Sequence, residues 1–545
     1  MFRLLIGTIH NAVFLGELSL HYDANVHTQG SYLGWLIIFA PVLGGQIVVY
    51  LIRNFAPEAK GHGVPEVMHA IYHKRGIIPG KVSIVKAFAS AITIGTGGSL
   101  GREGPIVQIS AAFSSFIGQI TRLTVSQRNL VIACGASSGI AATFNAPLGG
   151  ILFSIELLLV AINSRTVLPV ALSTVIAANV GHYLIGNDPA FVIPEILHVS
   201  KNSDIYVSLL AIPLGAFVGL LSLLFILSIY FFEDQFEKFP VNDYQRHAIG
   251  TLLLGIMFYS LYARTGHYYV QGVGYATIQD VLMNLITDPW FLLFLIFAKL
   301  LATGLTIGSG GSGGVFSPSL FLGALSGALF GSIVGILFPN LGINPIVFVI
   351  AGMAAMVSGT TSAPLTATII VFEMTLDYNA ILPVIAAVSV AYAVRRRFLR
   401  GDIYTLKLNR RGQMVPEELV ADIGSHVLID DEVSKNIAFV KENERISGAQ
   451  DYACILDDQD KVAAIIDLSS QSVDHEVPLM LLKRRKHVVL KSGTRAAKAL
   501  RILHQKKCDV ALISATGGTE KEAVVGVLSA AHLVNLLGDV TKTLR

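Results

Sequence analysis

The chain has 545 residues, of which 53% are hydrophobic and only 14% charged, where soluble proteins carry about a quarter charged residues. With a mean hydropathy of +0.62, this composition excludes an ordinary soluble enzyme and indicates a polytopic membrane protein. A net charge of +3 over this length argues for no nucleic-acid partner, and the three isolated cysteines, Cys134, Cys454 and Cys508, form neither a disulfide framework nor a metal cluster.

The first segment, MFRLLIGTIHNAVFLGEL, lacks a small-residue cleavage site and leads into further apolar spans, so it is not a cleavable signal. Apolar segments then recur in chain order. They include LGWLIIFAPVLGGQIVVYLI (33 to 52), KAFASAITIG ending at residue 95, VSLLAIPLGAFVGLLSLLFILSIYFF (207 to 232) and IVFVIAGMAAMVSG (346 to 359). Some reach the roughly 20 residues that cross a bilayer and others fall short, which predicts tilted and broken helices. The last apolar run ends in VAYAVRRRFLRGD, and Arg395, Arg396, Arg397 and Arg400 at that end favour the cytoplasmic side. Beyond about residue 408 charged residues become frequent. The β-rich runs YACILDD, VAAIIDL, DVALISA and AVVGVLS alternate there with the helical pattern TRAAKALRILHQKK, the signature of a small α/β domain.

The membrane half repeats itself. KAFASAITIGTGGSLGREGP (86 to 105) lies over KLLATGLTIGSGGSGGVFSP (299 to 318) without a gap, and APLGGILFSIE (146 to 156) matches APLTATIIVFE (363 to 373). Glycine-interrupted apolar segments at matching places in two halves mark a binding site near the middle of the membrane. A glycine-rich segment that opens into a helix exposes unpaired N–H groups at a positive helix end, which bind anions. In lipid such backbone survives only where it is buried in protein or lines a wet cavity. Glu103, beside Arg102 within this segment, is a carboxylate at an anion position. Ionised it competes with the anion, and protonated it withdraws. The bland reading of Glu103 is an ion pair with Arg102.

The chain resembles the CLC family of chloride channels and transporters with a C-terminal pair of CBS domains. The resemblance rests on GHGVP (61 to 65), GREGP (101 to 105) and GVFSP (314 to 318) in that order, followed by Tyr404 in DIYTL. It implies an α-helical polytopic fold built on an inverted repeat with many tilted and broken helices, plus a small α/β cytoplasmic CBS pair. The transport domain is expected over residues 1–407, with repeats roughly 33–200 and 205–400, and the CBS pair over 408–545, as modules of about 415–475 and 476–541. A homodimer with one anion pathway per subunit is implied, as is membrane lipid as surroundings. Set against the family, the start of the chain looks short, so a first helix or two is expected to be absent.

Carried over residue by residue, Glu103 resembles the gating glutamate. The N–H groups of Gly104, Val315 and Phe316 resemble those that cradle the central anion, and Tyr404 the tyrosine that donates its hydroxyl to it. His62 stands where the family usually has serine, which bears on the choice of anion; its ring either donates to the anion or is turned away from it. Leu157 stands where proton-coupled members carry a second glutamate, directly after Glu156, and this favours uncoupled, channel-like conduction of chloride gated by Glu103. The alternative is a proton-coupled antiporter with a non-standard proton path, through water or His62. Glu156 and Glu373 are expected to be structural, and Lys86 and Lys299 either attract anions by their field or cap backbone carbonyls. Chloride is the one bound ion expected, with no cofactor required. In the CBS pair, GVLSAAHL (526 to 533) has His532 near the place where nucleotide-binding modules carry Asp, so adenine nucleotide stays open as a ligand and a dimerising scaffold is the simpler expectation. No catalytic set, metal motif or Walker sequence is found in the spans, which argues against an enzyme and against an ATP-driven pump.

Overall fold

The computed structural model describes residues 2–20, 22–159, 162–186, 190–193, 203–378, 380–413, 429–431, 433–442, 444–446, 450–468, 477–478, 482 and 484–534. The chain divides into two compact units, Met1–Glu417 and Glu418–Arg545. The expected limits at residues 200, 415, 475, 476 and 541 lie outside the described residues.

The first unit is helical. Its first half contains α1 (Phe2–His10), α2 (Ala40–Phe55), α3 (Val64–His73), α4 (Lys81–Gly95), α5 (Glu103–Ile120), α6 (Val125–Phe144), α7 (Pro147–Leu157) and α8 (Ser164–Ile185). The second half contains α9 (Ser203–Lys238), α10 (Asp243–Thr265), α11 (Tyr275–Leu282), α12 (Pro289–Gly308), α13 (Phe316–Leu337), α14 (Ile346–Thr361), α15 (Pro364–Thr375) and α16 (Ile381–Phe398). The short α17 (Thr405–Arg410) follows. Among the described residues, six helices are long and apolar enough to cross a bilayer, while α7, α14 and α15 are apolar but shorter. The mixture matches the unequal apolar runs of the sequence.

The two halves repeat their packing: α5 lies on α6 as α13 lies on α14, α2 on α4 as α10 on α12, and α1 on α4 as α9 on α12. Glu156 and Glu373 lock them together. Glu156 accepts from Leu365 N (3.0 Å), Thr366 N (2.7 Å) and Thr366 Oγ1 (2.6 Å) at the start of α15. Glu373 accepts from Leu148 N (3.0 Å) and Gly149 N (2.7 Å) at the start of α7. Each carboxylate thus caps the equivalent helix of the other half, where unpaired N–H groups and the helix dipole favour a negative charge.

The second unit is α/β. β1 (Ile437–Lys441) pairs in parallel with β3 (Tyr452–Leu456), which pairs antiparallel with β4 (Val462–Asp467); β2 (Arg445–Ile446) pairs with β5 (Val477–Pro478), and β6 (Arg484–Arg485) joins β4. β7 (His487–Lys491) pairs in parallel with β8 (Val510–Ser514), which pairs antiparallel with β9 (Val524–Ser529). The same parallel-then-antiparallel order therefore occurs twice. α18 (Ala496–Lys506) makes the crossover that a parallel pair requires. All four β-rich runs and the helical pattern picked out in the sequence are found as β3, β4, β8, β9 and α18.

α14 is apolar all round and wholly buried, and α13 is apolar all round and buried from Phe316 to Leu329, as expected of helices inside a membrane protein. They meet backbone to backbone, because a Cβ on Gly323 or Gly327 would strike the carbonyl oxygens of Gly352 and Phe348, the small-residue packing of helices in lipid. Gly335, two turns beyond Gly327 on α13, faces open space. Gly327→Leu is expected to cost more than about 4 kcal/mol and to abolish the monodisperse folded peak in detergent, while Gly335→Leu stays within about 0.5 kcal/mol of the native protein in a thermal melt.

Candidate anion pathway

Three glycine-rich segments meet at the interface between the halves. Gly101 N donates to Gly314 O (2.8 Å) and Gly314 N donates to Gly101 O (2.6 Å), an antiparallel bridge between equivalent residues of the repeat. An exchange of this kind between equivalent positions is what a local two-fold axis produces. Two further contacts obey the same symmetry: Ser312 N donates to Thr93 Oγ1 (3.5 Å) and Ser99 N to Thr306 Oγ1 (3.3 Å). The segment before α3 joins on one side, with Gly61 N donating to Gly311 O (3.2 Å) and Gly313 N to Gly61 O (3.3 Å).

Immediately beyond these bridges start α3, α5 and α13, and none of the three carries a side-chain cap. In the same unit α6, α8 and α10 have capping boxes built on Thr124, Asn163 and Asn242, α12 is capped by Asp288, and α7 and α15 have the crossed glutamates, while α2, α4, α11, α14 and α16 share the lack of a side-chain cap; what sets α3, α5 and α13 apart is that their starts are buried together at the bridged loops. Three buried helix starts are therefore left open where the halves meet. Gly104, Val315 and Phe316 all lie at such starts and are buried. A side chain at Gly104 would strike His62 O, and a Cβ on Gly314 would lie 2.7 Å from Gly104 N, so α3, α5 and α13 approach as closely as backbone allows.

Tyr404 stands at the start of α17 and is buried, within Coulombic range of Glu103. Its segment is held from three sides. Asp402 Oδ1 accepts from Tyr404 N (2.7 Å) and Thr405 N (2.9 Å). Tyr230 donates its hydroxyl to Ile403 O (2.6 Å). The fully buried Arg395 donates to Gly359 O (2.8 Å), Leu399 O (3.2 Å), Gly401 O (2.9 Å) and the Ser362 hydroxyl.

Glu103 is 1% exposed. Its Oε1 accepts from the hydroxyls of Tyr275 (2.7 Å) and Ser317 (2.6 Å), and its Oε2 has no partner among the described residues. No ion pair joins it to Arg102 among the described residues; the guanidinium lies instead over the Tyr275 ring, 5.3 Å from its centroid. The simple ion-pair reading of the two neighbours thus has no contact to rest on. His62 is also 1% exposed, and neither ring nitrogen has a partner among the described residues. Lys86 and Lys407 both reach the adjacent Gly61, and Lys407 is paired with Glu233 at 3.1 Å. A buried imidazole without a partner, beside cations, has the chemistry of an anion or water ligand.

The recurring lysines turn out to be clamps on backbone. Lys86 Nζ donates to Ala59 O (2.9 Å) and Gly61 O (2.7 Å), in the segment that enters α3. Lys299 Nζ donates to Val270 O (3.1 Å) and Gly272 O (3.3 Å), in the segment that enters α11. Of the sequence-derived residues, the structure gathers His62, Glu103, Gly104, Val315 and Phe316 at the uncapped helix starts and buries Tyr404 within Coulombic range of Glu103. Leu157, at the end of α7, is buried and apolar. Tyr275 and Ser317 were not foreseen. Ser317 lies within the GVFSP motif, but the sequence around Tyr275, VGYATIQ, carries no signal that would have marked it.

The profile of the family described as voltage gated chloride channel matches residues 44–396. The H(+)/Cl(-) exchange transporter ClcA of Vibrio parahaemolyticus is 33% identical over 425 residues, covering 74% of this chain and 88% of the relative. The protein of the same name from Vibrio cholerae is 35% identical over 420 residues, covering 75% and 88%. In fold, the chain is similar to the crystal structure of a eukaryotic CLC transporter, with a TM-score of 0.64 and 19% identity over 97% of this chain and 94% of that one.

Lys86→Met removes one of two donors from each of two buried carbonyls, since Ser312 Oγ also donates to Ala59 O (2.7 Å) and Gly313 N to Gly61 O (3.3 Å), and each hydrogen bond lost is worth about 1 kcal/mol. The expected result is a lower melting temperature with an unchanged chloride-to-nitrate permeability ratio. A changed ratio at native stability would assign the lysine to the anion's field instead.

Proposed function

The chain belongs to the voltage gated chloride channel family, an integral, multi-pass group of membrane anion transporters, and from that premise we propose that it exchanges chloride for protons, with Glu103 as the group that both ions use. One observation carries the anion half of the proposal: three buried helix starts, α3, α5 and α13, lack caps where the two halves meet. Buried N–H groups left without acceptors cost several kcal/mol in a medium without water. An anion placed among them removes that cost without needing a fixed counter-charge. We assign the N–H groups of Gly104, Val315 and Phe316, the Tyr404 hydroxyl and the His62 ring to this role.

Glu103 starts α5 itself, so its carboxylate lies beside these donors, and in this structure it rests on the Tyr275 and Ser317 hydroxyls. Ionised, it excludes the anion; protonated, it has no claim on them and moves aside. A single carboxyl that must bind a proton for an anion to pass links the two fluxes.

The sequence alone favoured an uncoupled channel, on the strength of Leu157. Relatives at 33–35% identity named as H(+)/Cl(-) exchange transporters support exchange instead, and the proposal therefore departs from that first expectation. Leu157 remains the specific observation behind the channel reading, since a buried leucine cannot carry a proton towards Glu103. Within the exchange reading it requires the inner proton to travel by water or by another side chain, and because the cations Lys86 and Lys407 oppose protonation of the buried His62 imidazole, water is the simpler carrier. The C-terminal unit, with its twice-repeated strand order, we read as a cytoplasmic CBS pair that serves a homodimer; an adenine nucleotide would meet it near Ser529, whose hydroxyl accepts from His532 N (3.1 Å).

In liposomes with a chloride gradient, the wild-type protein is expected to drive protons uphill. Glu103→Gln mimics the protonated gate, so it should carry chloride faster at neutral pH, show a flattened pH dependence and move no protons. Normal chloride flux with no uphill proton movement in the wild type would establish the channel reading.

A further inference from the structure

We propose that Tyr275, together with Ser317, is a latch that holds Glu103 across the anion path while it is ionised and lets go when it is protonated. The inference rests on the reading of Glu103 as the gate and adds what sets the pH at which the gate opens.

Tyr275 comes from the opposite half of the repeat, 172 residues from Glu103 in sequence, and everything around it fixes the position of its hydroxyl. It is the first residue of α11, which begins directly after Gly274 at φ +80°, a backbone conformation natural to glycine. Lys299 anchors the preceding turn through Val270 O and Gly272 O. Phe191 meets the Tyr275 ring edge to face, with centroids 5.1 Å apart, and Arg102 covers it at 5.3 Å. The ring is 1% exposed. A phenol held so tightly delivers its O–H to one place, and that place is Glu103 Oε1 at 2.7 Å.

Ser317 brings a second hydroxyl to the same oxygen at 2.6 Å and lies 3.2 Å from the Tyr275 hydroxyl. Two neutral O–H donors converging on one carboxylate oxygen form charge-assisted hydrogen bonds, about twice as strong as bonds to a neutral acceptor. A proton on Oε1 would take up one of the two acceptor positions, and a proton on Oε2 would turn Oε1 into a neutral carbonyl. Either way the latch weakens as the carboxyl gains its proton. Because both donors are uncharged, they favour the ionised gate without placing a fixed cation in the path, where it would retain chloride. Arg102 supplies positive charge from behind the ring face, where it stabilises the whole assembly without touching the carboxylate.

The latch is tested by the pH dependence of chloride flux in proteoliposomes, compared between the wild type, Tyr275→Phe, Ser317→Ala, Glu103→Gln and Glu103→Gln/Tyr275→Phe. Removing one hydroxyl takes a donor from the ionised gate, so Tyr275→Phe should raise flux at neutral pH and move the half-activation point upward by about one pH unit. Ser317→Ala should move it in the same direction. In the Glu103→Gln background, Tyr275→Phe should change neither flux nor pH dependence. A packing role for Tyr275 would lower flux at every pH and leave the midpoint in place. If both single variants keep the native midpoint while Glu103→Gln is flat, the latch is wrong and the gate stands. If Glu103→Gln retains the native pH profile, the gate is wrong and the latch falls with it. Should Tyr275→Phe fail to reach the folded state, Ser317→Ala decides by the same midpoint.

Discussion

Two backbone hydrogen bonds between Gly101 and Gly314 are the constraint on which the rest of the structure depends. They bring equivalent loops of the two halves into register and so determine where α5 and α13 can begin. Only glycine permits it, since a Cβ at residue 314 would approach Gly104 N to 2.7 Å. Once the loops are bridged, two helix starts face each other and α3 is drawn in by Gly61 as the third. Their N–H groups are then buried without intrahelical acceptors, by the geometry of any α-helix. In the proposed reading an anion answers that deficit, and the Glu103 carboxylate beside it is held by the Tyr275 and Ser317 hydroxyls.

The crossed caps show what the same fold does when it wants a helix start closed. Glu156 and Glu373 each fill the N-terminus of the other half's short helix. The contrast is between carboxylates held by pairs of backbone N–H groups, with the Thr366 hydroxyl added at Glu156, and one carboxylate, Glu103, held on one oxygen by two side-chain hydroxyls alone. Backbone donors cannot move without the helix, whereas side-chain donors release their acceptor when its charge is lost. In the proposed reading, stability and gating thus use one chemistry with different partners.

Much of this was legible in the sequence because the informative features are local and repeated. GTGGSLGREGP against GSGGSGGVFSP locates the bridge, the matched APL segments locate the crossed glutamates, and the alternation after residue 408 locates the strands. The recurrence of Lys86 and Lys299 was visible, but a repeated lysine says only that both halves need it; whether it serves an ion or a carbonyl depends on where the preceding loop lies in space. Tyr275 was invisible for a related reason. Its function consists of a single distance to a residue in the other half, and an aromatic at a helix start is ordinary in any membrane protein. Leu157 was read too far, because the absence of one carboxylate names a group that does not carry protons and leaves water and His62 untouched.

The account's central claim is that the uncapped starts of α3, α5 and α13 hold the transported anion and that Glu103 competes for the same place. Anomalous diffraction from crystals grown in bromide tests it directly. The account predicts a bromide peak against the N–H groups of Val315 and Phe316 and the Tyr404 hydroxyl in the wild type, and a second peak at the vacated carboxylate position in Glu103→Gln. Bromide bound elsewhere in the unit, or a Glu103→Gln crystal with no added peak, would contradict it.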